Sequence, residues 1–165
     1  MAESEHADTY LDRPNRRKTS SKATKAIVAL LLVASAVIVI VISLGGWDTL
    51  EGAKPLQVAY IVIYLVMAFL VMRWNRGVLP LAAALAIVLL IFAAVSGPAW
   101  FDRDKTGLTD PALDEDIIGL LSLILVPVQL LLIGFAMRGF QQAWNVEVER
   151  STDEQRGGSP APAPA

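Results

Sequence analysis

The sequence predicts an all-α polytopic membrane protein, a bundle of four antiparallel transmembrane helices. Its 165 residues are 55% hydrophobic and 18% charged, with a mean hydropathy of +0.52. Soluble domains are roughly 45–50% apolar and about 25% charged. The apolar residues lie in four long blocks without a single charged residue, each close to the roughly 20 residues that a helix needs to cross a bilayer. The basic residues cluster on one side of these blocks, which is the third sign of a membrane topology.

The first block follows a polar segment. Residues 1–25 are acidic and then basic, with almost no apolar side chain to bury, and we expect a disordered cytoplasmic arm. The first span is predicted at about residues 26–46. Its apolar run is longer than the 7–15 residues of a signal peptide, so we prefer a retained span to a cleaved signal.

The second and third spans are predicted at about residues 56–73 and 78–96. Pro55 and Pro80 each fit a first helical turn, where a missing N–H costs nothing. The connection between the spans, residues 73–77, is short enough for a tight hairpin, so we expect these two spans to pack side by side. Gly97 and Pro98 are predicted to end the third span.

Small residues recur along the third span at intervals of four. This spacing lets helix backbones approach closely in lipid. We expect a contact face within the bundle, in preference to a dimer interface, formed by Ala82, Ala86, Ala93 and Gly97.

The fourth span, about residues 117–138, is expected to belong to a longer helix over residues 111–148. Asp110 fits the N-cap of that helix and Pro111 its first position. The helical domain then covers residues 26–148. Residues 149–165, rich in Pro and Ala towards the end, are predicted to be a disordered tail.

Charge and tryptophan positions set the expected orientation. The positive-inside rule places both termini in the cytoplasm. The residues predicted to fix the topology or to contact lipid headgroups are Arg16, Arg17, Lys18, Lys22, Lys25, Arg73, Arg76 and Arg138. One tryptophan follows each span, where indole rings prefer the membrane interface, and the predicted anchors are Trp47, Trp74, Trp100 and Trp144.

The loop before the fourth helix contains a partial match to a calcium-binding loop. Its oxygen-bearing residues have the spacing of calcium ligands, but position 12, which should be a glutamate, is Leu113. A solvated acidic loop is the preferred interpretation, and the weak calcium candidates are Asp102, Asp104, Thr106 and Asp110. No cofactor and no other metal site is predicted.

The spans themselves carry few polar groups. Those that stand out are Tyr60, Tyr64, Gln129 and the helix-weakening Pro127. We expect Gln129 to make an interhelical hydrogen bond and Pro127 to form a packed kink. Proton relays and most ion-coupled transporters need intramembrane charges, and this sequence places none in its spans.

These observations favour a non-enzymatic structural, accessory or interaction subunit of a membrane assembly. No nucleophile is paired with a base, and the one histidine, His6, lies in the arm. The alternative is an oligomeric small-solute or lipid-handling permease with a pathway near Tyr60, Tyr64 and Gln129. Expected partners are the lipid bilayer and other membrane subunits or further copies of the chain, but not nucleic acid. Short loops and high Ala, Val and Asp usage are typical of a bacterial inner-membrane protein.

Overall fold

The structure is a computed structural model that describes residues 9–50, 52–103 and 110–151. Four long helices dominate it, and a short helix and two strands lie at the chain ends. In chain order the elements are β1 (Thr9–Asp12), α1 (Pro14–Arg17), α2 (Thr19–Gly45), a 3-10 turn (Trp47–Thr49), α3 (Lys54–Met72), α4 (Val78–Phe101), α5 (Glu115–Gln141) and β2 (Val148–Ser151).

Helices α2 to α5 are each long and apolar enough to cross a membrane. This confirms the prediction of a helical bundle with four candidate spans. Its outer surface is apolar on every helix, with Leu30 67%, Phe69 60%, Val95 69% and Leu130 57% exposed. Soluble monomers rarely expose contiguous apolar patches of more than a few hundred Å², so the surface matches a hydrocarbon solvent.

The four helices are antiparallel, and their contacts are unequal. The most extensive contact joins α4 to α5, and α2 packs against both α3 and α5. Helices α3 and α4 touch little, so the prediction that the second and third spans pack side by side is wrong. The short turn holds only their adjoining ends together, because α4 turns its small-residue face towards α5.

That small-residue face is buried as predicted. Ala82 and Ala86 are fully buried, Ala93 is 3% exposed, and Gly97 is buried beside Leu123 of α5. A Cβ atom added to Gly97 would lie 2.6 Å from Leu123 Cδ2. The face therefore serves packing within the bundle.

Gly119 is the matching glycine on α5. A Cβ there would lie 2.9 Å from the Phe101 ring and 3.1 Å from the Gly97 carbonyl oxygen. We expect Gly119→Ala to push α4 and α5 apart and to lower the free energy of unfolding by about 1–3 kcal/mol, the usual cost of overpacking. Denaturant titration in detergent micelles measures this change.

Gly134, on the same helix, is the control for that substitution. A Cβ there meets nothing within 4 Å, and alanine is the better helix former. Gly134→Ala should therefore leave the stability unchanged or raise it. Equal losses from the two substitutions would show that the α4–α5 contact is not as close as described.

Helices α4 and α5 differ from their predicted boundaries. Helix α4 does not stop at residue 96 but continues to Phe101, with Pro98 inside its last turns. Proline there removes one helical hydrogen bond, and the Asp102 N–H still donates to the Pro98 carbonyl at 3.2 Å. Helix α5 ends at Gln141 rather than near residue 148.

The start of α5 also differs from the prediction. Its N-cap is Asp114, whose carboxylate accepts a hydrogen bond from the Asp116 N–H at 2.9 Å, and Asp110 lies outside the helix. Leu113 fixes this register, because its N–H donates to the Gly45 carbonyl at 3.0 Å. Leu113 and Ile118 also occupy the two positions of a hydrophobic staple.

The arm and the tail differ most from expectation. Residues 9–25 were expected to lack structure but contain β1, α1 and the first turns of α2. Strand β1 pairs antiparallel with β2, with Tyr10 opposite Arg150 and Asp12 opposite Val148, so the start of the expected tail is paired as well. Residues 1–8 and 152–165 lie outside the described residues.

Candidate functional site

The chain ends form a small layer that covers one end of the bundle. We call this layer the terminal cap. It consists of β1, α1, β2 and residues 142–147, and it lies beside the turn at residues 73–77. We call this end of the bundle the terminal end and the opposite one, which carries residues 46–50, 52–53, 102–103 and 110–114, the loop end.

Trp144 is the centre of the terminal cap. Its side chain is fully buried, and its ring meets that of Trp74 edge-on with 5.3 Å between centroids. The indole N–H donates to Gln142 Oε1 at 3.0 Å, and the Gln142 amide donates to Thr24 Oγ1 on α2 at 3.0 Å. Trp144 thereby connects the end of α5 with α2 and the 73–77 turn.

Helix α1 is tied to the same segment by its polar side chains. Asn15 Nδ2 donates to the Ala143 carbonyl at 3.1 Å, and Arg16 Nε donates to the Trp144 carbonyl at 3.1 Å. Burial lowers the pKa of the Arg16 guanidinium, nearby Arg13 lowers it further, and Glu147 acts in the opposite direction. Arg13 pairs with Glu147 through a bond from Nε to Oε1 of 2.9 Å.

Asp12 is a buried carboxylate with two cationic partners. It is 5% exposed, with Oδ1 3.1 Å from Arg17 and Oδ2 3.4 Å from Arg150. A buried carboxylate needs such compensation, because its desolvation is costly. Since Arg17 is the last residue of α1 and Arg150 lies on β2, the two contacts hold the chain ends together.

The predicted lipid-contact residues separate into two groups. Lys25 and Arg76 are used inside the protein: Lys25 Nζ lies 4.2 Å from the Trp74 ring centroid and 3.4 Å from the Met72 carbonyl, and Arg76 Nε donates to the Phe140 carbonyl at 2.7 Å. Arg16 belongs to this group as well. The predicted residues that stay exposed are Arg17, which also pairs with Asp12, and Lys18, Lys22, Arg73 and Arg138.

The four predicted tryptophan anchors are placed differently from one another. Trp47 is 42% exposed, with Lys54 Nζ 5.0 Å from its ring centroid, and Trp74 and Trp100 are partly buried. Trp144 is fully buried, so its ring does not reach the bundle surface as an interfacial anchor would. Instead, it packs against Trp74 and is enclosed by the residues at the chain ends.

Ala143 has a backbone conformation that favours glycine. Its φ is 49°, and the left-handed region costs an L-residue about 1–2 kcal/mol. We expect Ala143→Gly to raise the free energy of unfolding by about 1 kcal/mol, because glycine adopts this conformation without strain. Ala84→Gly in the middle of α4, where Ala84 is exposed and regularly helical, should lower it. A loss of stability in Ala143→Gly, measured by thermal unfolding, would contradict this account.

A chain of hydrogen bonds crosses the middle of the bundle. We call it the polar relay. The Tyr64 hydroxyl donates to Gln129 Oε1 at 2.9 Å, Gln129 Nε2 donates to Ser35 Oγ at 2.8 Å, and the Ser35 hydroxyl donates to the Leu31 carbonyl at 2.8 Å. All three side chains are at most 1% exposed. The interhelical hydrogen bond predicted for Gln129 is present, and the relay joins α2, α3 and α5.

The polar relay occupies the place where a permeation pathway was expected. Tyr64 and Gln129 are bonded to each other, and Tyr60 packs edge-on against Tyr64 with 5.6 Å between centroids. Pro127 lies inside α5 and is exposed on the bundle surface, so it is not packed against a neighbouring helix as expected.

A second polar contact joins α2 and α3 nearer the loop end. Ser43 Oγ lies 2.6 Å from the Val39 carbonyl and 2.5 Å from the Gln57 side-chain amide. The single hydroxyl proton of Ser43 is shared between two acceptors, the Val39 carbonyl oxygen and Gln57 Oε1. This contact was not singled out from the sequence, although Ser43 and Gln57 are polar residues within apolar runs.

The loop end carries the acidic residues. Arg103 pairs with Glu115 at 3.4 Å, and its guanidinium carbon lies 5.3 Å from the Trp100 ring centroid. Of the calcium candidates, Asp102 and Asp110 are exposed, and Asp104 and Thr106 lie outside the described residues. Among the residues that the structure describes, no group of three or more acidic or histidine side chains could hold a metal ion.

An apolar cleft of about 170 Å³ opens between α3 and α4 at the loop end. Side chains from all four long helices line it, including Ile42, Leu56, Tyr60, Phe92, Ala93 and Leu125. The cleft exists because α3 and α4 touch little. The cleft could not be predicted from the sequence, because it depends on which helices pack against one another.

Comparisons with known proteins found no relative of this chain. No family model, curated protein or solved structure matches it. The side chains of the protein itself therefore have to indicate its function. They form a closed polar relay, an apolar cleft, and a terminal cap with exposed basic residues.

Proposed function

We propose that this protein is a non-enzymatic structural, accessory or interaction subunit of an assembly in the bacterial inner membrane. The observation that carries the proposal is the polar relay. Tyr64, Gln129 and Ser35, the polar groups in the middle of the bundle, are buried and bonded to one another. They hold helices together, and the centre of the bundle is a packed contact.

Charge supports an orientation with both termini in the cytoplasm. Among the described residues of the terminal end, ten are basic and three are acidic, whereas the loop end has two bases and six acids. This asymmetry follows the positive-inside rule. The exposed bases of the terminal end then face anionic headgroups, where each contributes about 1 kcal/mol of attraction.

The polar relay also weighs against the permease. A solute pathway through the bundle would have to separate Tyr64 from Gln129 and leave both groups unsatisfied in a dry interior. The cleft at the loop end offers a small, mostly apolar space and does not continue through the relay. A subunit that binds its neighbours through its outer surface can do so while the polar relay stays closed and the cleft keeps its size.

Native mass spectrometry of the protein purified in a mild detergent tests this proposal. We expect a complex of defined stoichiometry, containing other membrane subunits or further copies of this chain. The opposite result is a monomer without partners whose proteoliposomes move a solute or lipid across the bilayer. That result would show that the protein is a permease and would contradict the proposed role as a subunit.

A further inference from the structure

The cleft between α3 and α4 can be entered from the outer surface of the bundle. Leu56 and Phe92, both lining residues, are 44% and 49% exposed. Val95, one turn along α4 from Phe92, is also apolar and is 69% exposed. The cleft is therefore continuous with the apolar surface of the bundle, and Ala93 and Leu89, 3% and 8% exposed, form part of its inner wall.

Three polar side chains along the cleft already have partners within the protein. Gln57 is bonded to Ser43, and the Ser122 hydroxyl donates to the Ile118 carbonyl at 2.9 Å. The Tyr60 hydroxyl donates to the Leu85 carbonyl at 3.4 Å. A polar solute would lose its water without gaining comparable hydrogen bonds, which is unfavourable. An apolar occupant has no hydrogen bonds to water to lose.

The size of the cleft limits the occupant further. An apolar cavity of about 150 Å³ engineered into another protein stays dry and binds benzene. Drug-sized ligands need clefts of about 300–1,000 Å³. The volume of about 170 Å³ here fits a segment of one hydrocarbon chain.

We propose that the cleft binds one acyl chain of a membrane phospholipid, which enters sideways from the bilayer between α3 and α4. The proposal rests on the membrane insertion put forward above. The chain lies against Ala93 and Leu89, and the headgroup lies near Trp100, which lines the loop-end part of the cleft. A bound chain fills the space that α3 and α4 leave between them.

Photo-crosslinking in phospholipid vesicles tests this proposal. The full-length protein is reconstituted with a phosphatidylcholine that carries a diazirine in the middle of one acyl chain, and labelled residues are mapped by mass spectrometry. Val37 on α2 and Leu130 on α5 are 50% and 57% exposed and report ordinary contact with lipid. We expect label on these two residues and also on Ala93 and Leu89, which only a chain inside the cleft can reach.

Substitution of Ala93 supplies the second measurement. Ala93→Phe places a ring in the cleft and should abolish the label on Leu89. The adjacent Ala94 is exposed, so Ala94→Phe should leave that label unchanged. If Ala93→Phe does not fold, Ala93→Val fills less space and should weaken the label on Leu89.

The possible outcomes separate the two proposals. Label on Val37 and Leu130 without label on Ala93 or Leu89 in the unsubstituted protein overturns the acyl-chain site and leaves membrane insertion intact. Label on none of these residues overturns membrane insertion itself. Label on Leu89 that persists in folded Ala93→Phe also overturns the site.

Discussion

Replacing Trp144 with alanine is expected to lower the free energy of unfolding by about 3–5 kcal/mol, the usual cost of removing a fully buried large aromatic side chain. Trp144 is 0% exposed and packs edge-on against Trp74. Its loss leaves a cavity between the 73–77 turn and the end of α5. We expect the terminal cap to loosen at the same time, so limited proteolysis should cut residues 9–17 faster than in the parent protein.

Trp47 provides the matched control. It is 42% exposed, and its described ring contact is with Lys54 at 5.0 Å, so Trp47→Ala should cost only about 0.5–1 kcal/mol. Denaturant titration followed by circular dichroism measures both variants. Equal losses would mean that Trp144 acts as an ordinary surface tryptophan, as the sequence alone predicted.

Replacing Gln129 with leucine should cost about 1–3 kcal/mol, because it removes two interhelical hydrogen bonds of up to about 1.7 kcal/mol each. The substitution leaves the Tyr64 hydroxyl buried without its acceptor. Tyr64→Phe removes that hydroxyl. The double variant should therefore be more stable than the sum of the two single losses predicts.

Tyr60→Phe is the control for this double-mutant cycle. Tyr60 lies one turn earlier on α3, and its hydroxyl donates to the Leu85 carbonyl, not to Gln129. The change in the free energy of unfolding caused by Tyr60→Phe should add to that caused by Gln129→Leu, without coupling. If the Tyr64 cycle is also additive, the bond between Tyr64 and Gln129 contributes no coupling free energy, and the contact between these two residues must be explained by packing alone.

The helical spans could be predicted because their signal is local. A charge-free apolar run identifies a span without knowledge of its neighbours, and the spacing of Ala82 and Ala86 correctly indicated a buried face. Gln129 was predicted to bond between helices because a lone amide in an apolar helix needs a partner. Which residues would meet it, Tyr64 and Ser35, depended on how the helices are arranged.

The terminal cap could not be predicted in the same way. Asn15 and Ala143, which bond to each other, are 128 positions apart, and neither segment is apolar enough to indicate burial. One weak signal existed: Val146 and Val148 alternate with Glu147 and Glu149, the period of a strand. The start of α5 was misplaced because Asp110 and Asp114 are both good N-caps, and only the contact between Leu113 and Gly45 decides between them.

The proposed topology has four membrane crossings with both chain ends in the cytoplasm, and single-cysteine labelling tests on which side of the membrane each end of the bundle lies. The chain has no cysteine, so one can be introduced at a time, at Ser20, Asn75 or Glu149 for the terminal end and at Asp48 or Asp110 for the loop end. All five residues are exposed. With a membrane-impermeant maleimide on intact spheroplasts, we expect label at positions 48 and 110, and label at 20, 75 and 149 only after lysis. Label at 20, 75 or 149 before lysis would contradict the proposed topology.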